Sequence, residues 1–163
     1  MSQAPSQSPL LPVVLLGAAA PLAIALASQY LAGLQPCQLC IWQRWPYVAA
    51  IVIALLAFAL PARLRPYGAA LAALAILASA AIALFHVGVE QHWWAGLSSC
   101  TGNLNTGGSV GDLEKQLEAT PIVPCDRPAW TLFGISMAGY NLIYATLFGL
   151  LALIASLRLA RRP

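Results

Sequence analysis

Four long apolar segments constrain this chain more than any other feature of its sequence. They cover residues 10–34, 41–60, 67–89 and 132–157. A helix needs about 20 residues to cross the hydrocarbon core of a bilayer, so each segment is long enough to span a membrane. Charged residues make up only 8% of the chain, whereas an average soluble domain has about 25%. The sequence therefore predicts an all-α membrane protein, a four-transmembrane-helix bundle that forms a single domain over residues 1–163.

The first apolar segment has a second interpretation as a cleaved signal peptide. Ala25-Leu26-Ala27 is typical of a signal-peptidase site. However, no Lys or Arg precedes the segment, and the segment exceeds the about 7–15 residues usual for the apolar part of a signal peptide. We therefore expect it to be retained as the first helix.

The arginines predict the orientation of the bundle. Arg63 and Arg65 lie between the second and third segments, and Arg158, Arg161 and Arg162 follow the fourth. Because Lys and Arg collect on the cytoplasmic side of membrane proteins, this link and both termini are expected to be cytoplasmic. Loops of about residues 35–40 and 90–131 then lie on the outer side. The arginines form no basic groove, so no nucleic-acid partner is expected.

The second outer loop is the only long extramembrane segment that the sequence predicts. Its residues 101–111 are rich in Gly, Asn, Ser and Thr and should be mobile. Residues 109–112 resemble a capping box, and Val110, Leu113 and Leu117 would form the apolar face of a short amphipathic helix that Pro121 ends. Such a helix could lie flat on the membrane surface.

All four cysteines fall on the outer side of this topology: Cys37, Cys40, Cys100 and Cys125. An oxidising compartment is where disulfides persist. Three connectivities are possible for four cysteines, and the most local one pairs Cys37 with Cys40 and leaves Cys100 with Cys125. A Cys-x-x-Cys bridge closes a very small ring, so it stabilises the fold little and is suited to act as a redox switch.

Two structural interpretations of the cysteines stay open at this point. A Cys100–Cys125 bridge would close a longer loop and stabilise the fold by about 3 kcal/mol, as an ordinary structural disulfide does. A four-cysteine zinc site usually comes from two close-spaced pairs. Only one pair is close-spaced here, so we expect no metal.

Arg44 departs from the orientation rule, because it lies on the predicted outer side of the second helix. Ionisable residues near a membrane segment are functional candidates. Cys40 and Arg44 are four residues apart and so share a helix face. A cation beside a thiol and a position at a helix N-terminus both lower the pKa of the thiol, which predicts that Cys40 is the cysteine kept as a thiolate. The alternative is an arginine that reaches to the membrane surface without a chemical role.

Two motifs resemble the disulfide bond formation protein B (DsbB) family. The family signature P-C-x-L-C-x-x-x-R is similar to residues 36–44, PCQLCIWQR. A second family pattern, C-x-x-x-x-W-x-x-x-G, is similar to residues 125–134, CDRPAWTLFG. Helix count, loop order and cysteine placement agree over nearly the whole chain, so the chain is identified as a member of this family.

The resemblance implies a relay of electrons across two cysteine pairs in a bacterial inner membrane. A reduced periplasmic thioredoxin-fold oxidase of the DsbA type would attack Cys100 and release Cys125. The electrons would then pass to Cys37–Cys40. The Cys40 thiolate would contact a membrane quinone, with Arg44 stabilising the charge that develops. The resemblance thus implies redox-active disulfides Cys37–Cys40 and Cys100–Cys125, and a quinone that we expect to be ubiquinone rather than menaquinone.

Several roles stay open. The family has a histidine near the start of the second loop that is linked to the quinone, and here His86 and His92 both lie near that point. Glu90 beside them is equally unassigned. The five tryptophans lie at predicted outer helix ends, where they would form an interfacial belt, and some of them could line the quinone site: Trp42, Trp45, Trp93, Trp94 and Trp130.

Two other functions remain to be compared with the quinone-linked oxidase. An enzyme of the vitamin K epoxide reductase type also combines a Cys-x-x-Cys with loop cysteines, but its Cys-x-x-Cys lies late in the bundle. A membrane scaffold braced by two disulfides would leave the Cys40–Arg44 spacing without an explanation.

Overall fold

The computed structural model describes residues 9–97, 109 and 123–161. Within these residues, four helices are long and apolar enough to cross a membrane. They are α1 (Leu10–Tyr30), α2 (Gln38–Phe58), α3 (Arg65–Glu90) and α4 (Met137–Ala160). The predicted four-helix membrane bundle is confirmed. The predicted amphipathic helix of the second loop lies outside the described residues.

Local capping explains why two helices begin away from their predicted starts. Cys37 is the N-cap of α2 and its sulfur accepts a hydrogen bond from the Cys40 amide, so α2 starts at Gln38 rather than at residue 41. Ser136 caps α4 in the same way through the Gly139 amide. A hairpin of two short antiparallel strands, β1 (Thr131–Leu132) and β2 (Ile135–Ser136), occupies the residues just before α4.

The helix ends meet in pairs. Gln29 near the end of α1 bonds to Arg44 near the start of α2, and Glu90 at the end of α3 bonds to Ser136 at the start of α4. His86 of α3 in turn contacts Gln43 of α2. One end of the bundle therefore collects Tyr30, Cys37, Glu90 and Ser136, and we call it the cysteine end.

Small residues form the interfaces between the helices. The buried core is dominated by alanines of all four helices, and α3 packs against both α2 and α4. Gly68 of α3 lies so close to α2 that an added Cβ would be 2.4 Å from the Ala57 Cβ. Small side chains let membrane helices approach closely, where dispersion contacts replace the hydrophobic effect as the source of stability.

Large apolar side chains face outward along the helices. Leu16, Leu56, Leu147 and Leu151 are each 60% or more exposed. In water such a surface would aggregate. In a bilayer it matches the lipid, which agrees with a multi-pass membrane protein.

Candidate functional site

Cys37 and Cys40 lie at the first turn of α2, at the cysteine end. Both are free thiols, and Cys37 is only 5% exposed. The sulfurs of Cys37 and Cys40 lie 2.9 Å apart, within hydrogen-bond distance, and the Cys40 amide donates to Cys37 Sγ over 3.3 Å. A disulfide needs its sulfurs about 2.05 Å apart. The pair is therefore close enough to form a disulfide after a small movement of two side chains.

Cys125 belongs to the same buried cluster as this pair. It is fully buried, it takes part in a disulfide, and it packs in one apolar cluster with Cys37, Leu39 and Val89, against which Cys40 also packs. Cys100, its predicted partner, lies outside the described residues. The structure thus brings three of the four candidate cysteines into one region of the molecule.

His86 and Glu90 complete the surroundings of the pair from α3. His86 Nε2 lies 3.6 Å from Cys37 Sγ and 3.8 Å from Glu90 Oε1. Both side chains are buried, at 3% and 5% exposure. The Ser136 hydroxyl donates to Glu90 Oε2 over 2.5 Å. His92, by contrast, is exposed and adopts a positive φ of 58° in the turn after α3. Of the two histidines, His86 is the one that contacts the Cys37–Cys40 pair.

Electrostatics at the pair favour a thiolate on Cys37. The hydrogen bond from Cys40 is the largest cause that lowers the pKa of Cys37, to about 4. Burial acts in the opposite direction, and His86 adds to the lowering. The sequence predicted a thiolate at Cys40, and this stays a prediction. In the dithiol form, the Cys40 amide and the His86 ring lie against the Cys37 sulfur.

Arg44 is directed toward α1. Its guanidinium donates to Gln29 Oε1 over 2.6 Å and to the Ala25 carbonyl over 3.3 Å. The cation therefore connects α1 to α2 instead of bonding to the Cys40 sulfur. It nevertheless lines the same cavity as Cys40, so it can act on a molecule bound there.

That cavity has a volume of 510 Å³ and opens beside the cysteine pair. Its walls come from all four helices and the residues before α4, and they are largely apolar. The polar residues that line it include Cys40, Gln43, Arg44, His86, Glu90 and Asn141. Ligand sites in proteins commonly have about 300–1,000 Å³ and combine apolar walls with a few polar groups, as this one does. Trp130 also lines it, whereas Trp93 is 63% exposed.

Cys37, Cys40 and His86 also offer three donor atoms within 4.8 Å of one another, a spacing that a metal ion could use. The sequence pattern by itself raised only a four-cysteine site. Two sulfurs on a tetrahedral zinc ion, with Zn–S of about 2.3 Å, are about 3.8 Å apart. The sulfurs here are 2.9 Å apart, so the pair would have to open to hold zinc. The spacing fits a dithiol that closes to a disulfide better than it fits a metal site.

Comparison with known proteins agrees with this geometry. A family model described as "Disulfide bond formation protein DsbB" matches residues 7–155. The chain belongs to the DsbB family. The family resemblance stated from residues 36–44 and 125–134 is confirmed by that match.

Individual DsbB relatives cover most of the chain. A disulfide bond formation protein B of Herminiimonas arsenicoxydans is 32% identical over 153 residues, which are 92% of this chain and 95% of that protein. Another, of Acinetobacter baylyi, is 33% identical over 85% of this chain and 82% of its own. An uncharacterised protein of Rickettsia prowazekii is 31% identical over 75% of this chain and 72% of its own. No solved structure matches. As a DsbB family member, the chain is a disulfide-formation protein of the membrane.

Four polar residues of the site escaped the sequence analysis. Gln43, Tyr47, Ser79 and Asn141 form a hydrogen-bonded chain with His86 inside the bundle. Their common signal is a polar side chain within a membrane helix, which is a functional candidate by default. That signal marks each residue separately, and only the packing of α2, α3 and α4 shows that they meet.

Proposed function

We propose that this DsbB family protein is a thiol:quinone oxidoreductase of the bacterial inner membrane. It would reoxidise a periplasmic DsbA-type dithiol oxidase and pass the electrons to a membrane quinone, preferably ubiquinone. The observation that carries the proposal is the placement of Cys40 and Arg44 on one 510 Å³ cavity, with Cys125 packed against the same cysteine pair. Overall, one dithiol becomes a disulfide while one quinone takes two electrons and two protons.

The thiol side of the proposal uses the second loop. A thiolate of the partner oxidase would attack Cys100, form a mixed disulfide and release Cys125. Thiol–disulfide exchange needs an ionised, accessible sulfur that can reach the next one. Cys125 packs in the cluster of Cys37 and Cys40, which supports a direct handover from the loop to the Cys37–Cys40 disulfide.

The quinone side uses the cavity. The apolar walls suit a hydrophobic ring and its tail, and the polar lining residues suit its carbonyl oxygens, so the chain's own residues fit such a molecule. When bound, a quinone supplies a two-electron, two-proton acceptor beside Cys40. Arg44 provides a positive charge that its bonds to Gln29 and Ala25 hold in place. A fixed charge near developing negative charge stabilises it without reorganisation.

The proposed orientation follows the arginines. Arg63 lies in the link between α2 and α3, Arg65 begins α3, and Arg158 and Arg161 lie at the end of α4. All four are at the end opposite the cysteines. With these arginines in the cytoplasm, both termini are cytoplasmic and the cysteine end faces the periplasm, where a DsbA-type partner works.

The free state of Cys37 and Cys40 favours this function over a scaffold. Two free thiols whose sulfurs are 2.9 Å apart form no covalent cross-link, so they do not stabilise the fold as a structural disulfide would. A vitamin K epoxide reductase-type enzyme remains a second quinone-linked candidate, but membership of the DsbB family favours the disulfide-forming reaction.

A turnover measurement tests the proposal. The purified protein is mixed with a reduced DsbA-type oxidase and a short-chain ubiquinone, and the quinone absorbance is followed. The wild type should turn over, and Cys40→Ser and Cys100→Ser should each abolish turnover because each removes one redox pair. Absence of turnover in the wild type with either ubiquinone or menaquinone would overturn the proposal.

The variant Arg44→Ala tests, in the same assay, whether Arg44 contributes to quinone binding. Loss of its charge from the cavity should raise the KM for quinone by about tenfold or more, the effect of roughly 1.4 kcal/mol, while the KM for the partner oxidase stays unchanged. Arg63→Ala is the matched control, because Arg63 is an exposed arginine at the opposite end of the bundle. Equal quinone KM values for Arg44→Ala and Arg63→Ala would remove Arg44 from the quinone site.

A further inference from the structure

A chain of buried polar side chains runs from the cysteine pair into the bundle. His86 Nδ1 contacts Gln43 Nε2 at 2.8 Å, Gln43 Oε1 accepts from Asn141 Nδ2 at 2.7 Å, and Asn141 Oδ1 accepts from the Tyr47 hydroxyl at 2.5 Å. Gln43 and His86 are 6% and 3% exposed. The described residues contain no buried side-chain N or O atom without a partner, so the chain is fully satisfied.

One backbone carbonyl fixes the direction of the Gln43 amide. Gln43 Nε2 donates to the Leu39 carbonyl over 3.3 Å. A carbonyl only accepts hydrogen bonds, so the NH₂ group of Gln43 must lie on that side. The same NH₂ group is the one that contacts His86 Nδ1.

A second carbonyl fixes the direction of the Asn141 amide. The Ser79 hydroxyl donates to the Gln43 carbonyl over 2.9 Å, which uses its only hydrogen. Ser79 Oγ can then only accept, and Asn141 Nδ2 donates to it over 3.2 Å. The NH₂ group of Asn141 therefore faces Ser79 and Gln43 Oε1, and the two amides point the same way along the chain.

These directions determine which nitrogen of His86 carries a proton. Gln43 donates to Nδ1, so Nδ1 presents a lone pair, and the hydrogen of the neutral ring is on Nε2. We propose that Gln43 is a positioning residue that holds His86 as the Nε2–H tautomer, with this N–H directed at the Cys37 sulfur. Nε2 lies 3.6 Å from Cys37 Sγ and 3.8 Å from Glu90 Oε1, and both atoms can accept.

This tautomer has a chemical consequence at the cysteine pair. A donor directed at sulfur stabilises the thiolate relative to the thiol. Gln43 does not touch the sulfur and acts only through the imidazole. This role deepens the proposed function, because it concerns the same cysteines, but the tautomer itself does not depend on any turnover.

The ¹⁵N spectrum of the histidine rings tests the inference directly. Protonated and unprotonated ring nitrogens resonate far apart, so the spectrum reports the tautomer. The dithiol protein is labelled with ¹⁵N-histidine in a His92→Gln background, which leaves His86 as the only native histidine. We expect Nε2 protonated and Nδ1 unprotonated. A His86 ring with Nδ1 protonated, alone or together with Nε2, would overturn the inference.

Two variants show whether Gln43 is the cause. Gln43→Leu removes the donor to Nδ1, and Gln43→Glu replaces it with a group that accepts when ionised. Each should lower the fraction of the Nε2–H form, and Gln43→Glu should lower it more. Ser156→Ala is the matched control. Ser156 is a fully buried serine that donates to the Ala152 carbonyl within α4, and its removal should leave the tautomer unchanged.

The outcomes separate this inference from the proposed function. An Nε2–H tautomer that persists in both Gln43 variants would refute the role of Gln43 even if the protein oxidises thiols. A tautomer that changes as expected supports it even if no quinone turnover is found, and then only the proposed function fails.

Discussion

Three features of Cys37 bear on its ionisation. It is buried, it is the N-cap of α2, and its sulfur lies 2.9 Å from the Cys40 sulfur and accepts a hydrogen bond from the Cys40 amide. Burial alone would raise the pKa of this thiol, but the donors outweigh it and lower the pKa to about 4. The surroundings of Cys37 therefore favour its thiolate in the dithiol form.

Removal of the Cys40 donor should raise the pKa of Cys37. A thiol with a lowered pKa is ionised at every pH above that value, so wild-type Cys37 should react with iodoacetamide at a constant rate from neutral pH down to about pH 5, and more slowly near pH 4. In Cys40→Ala the midpoint should move up toward the ordinary value of about 8.5. The measurement is the pH dependence of alkylation in a background with Cys100 and Cys125 replaced by serine.

The relative size of the midpoint shifts in two variants is the control for this prediction. The hydrogen bond from Cys40 is the largest cause of the lowered pKa of Cys37, and the contact with His86 is a smaller one. Cys40→Ala should therefore shift the alkylation midpoint more than His86→Ala does. A larger shift in His86→Ala would contradict this assignment of causes.

At the scale of single residues, the sequence predicts a relation between two residues only when they lie close together along the chain. The spacing of Cys37, Cys40 and Arg44 is local, so the sequence showed that they share the start of a helix. His86 is 49 residues from Cys37, and no local pattern distinguishes it from His92. The directions of Arg44 and His86 were not predictable for the same reason, because they depend on how α1 and α3 pack against α2.

At the scale of helices, the close approach of two helices depends on small residues at positions that have no room for a larger side chain. Gly68 faces Ala57, whose Cβ would be 2.4 Å from an added Cβ. The Ala57 Cβ is attached directly to the α2 backbone and cannot rotate away. Gly149 faces Leu77, whose side-chain carbons would be 2.8 Å away but can move to another rotamer.

Gly68→Ala should destabilise the bundle more than Gly149→Ala does. The new methyl at residue 68 forces α2 and α3 apart, and overpacking of this kind costs about 1–3 kcal/mol. The measurement is the midpoint of thermal loss of helical circular dichroism in detergent. Gly149→Ala is the matched control, and an equal or larger loss in that variant would contradict the packing of α3 on α2.

The helices themselves were largely predictable, because hydropathy and length identify a membrane span without any tertiary information. The positions at which the helices begin and end were less predictable. The start of α4 depends on the Ser136 cap and on the hairpin of β1 and β2, which includes positive φ angles at Phe133 and Gly134. Such turns arise from backbone geometry over a few residues, and the apolar run continues through them.

At the scale of the whole molecule, charge and chemistry lie at opposite ends of the bundle. Cys37, Cys40 and Glu90, which line the cavity, lie at the cysteine end. The link between α2 and α3 at the other end carries the exposed Arg63. This separation predicts that each end faces one compartment only, as the proposed relay requires of a protein that takes electrons from a periplasmic partner.

Single reporter cysteines test this orientation. In a background with all four native cysteines replaced by serine, Trp93→Cys places a thiol at an exposed position of the cysteine end, where Trp93 is 63% exposed, and Arg63→Cys places one in the link between α2 and α3. Because positive charge stays in the cytoplasm, a membrane-impermeant maleimide should label the Trp93→Cys protein in intact spheroplasts. It should label the Arg63→Cys protein only after permeabilisation, and the cysteine-free protein serves as the control in both states. The reverse pattern would place the cysteine end in the cytoplasm, where a periplasmic oxidase could not reach Cys100. That result would refute both the proposed orientation and the proposed periplasmic partner.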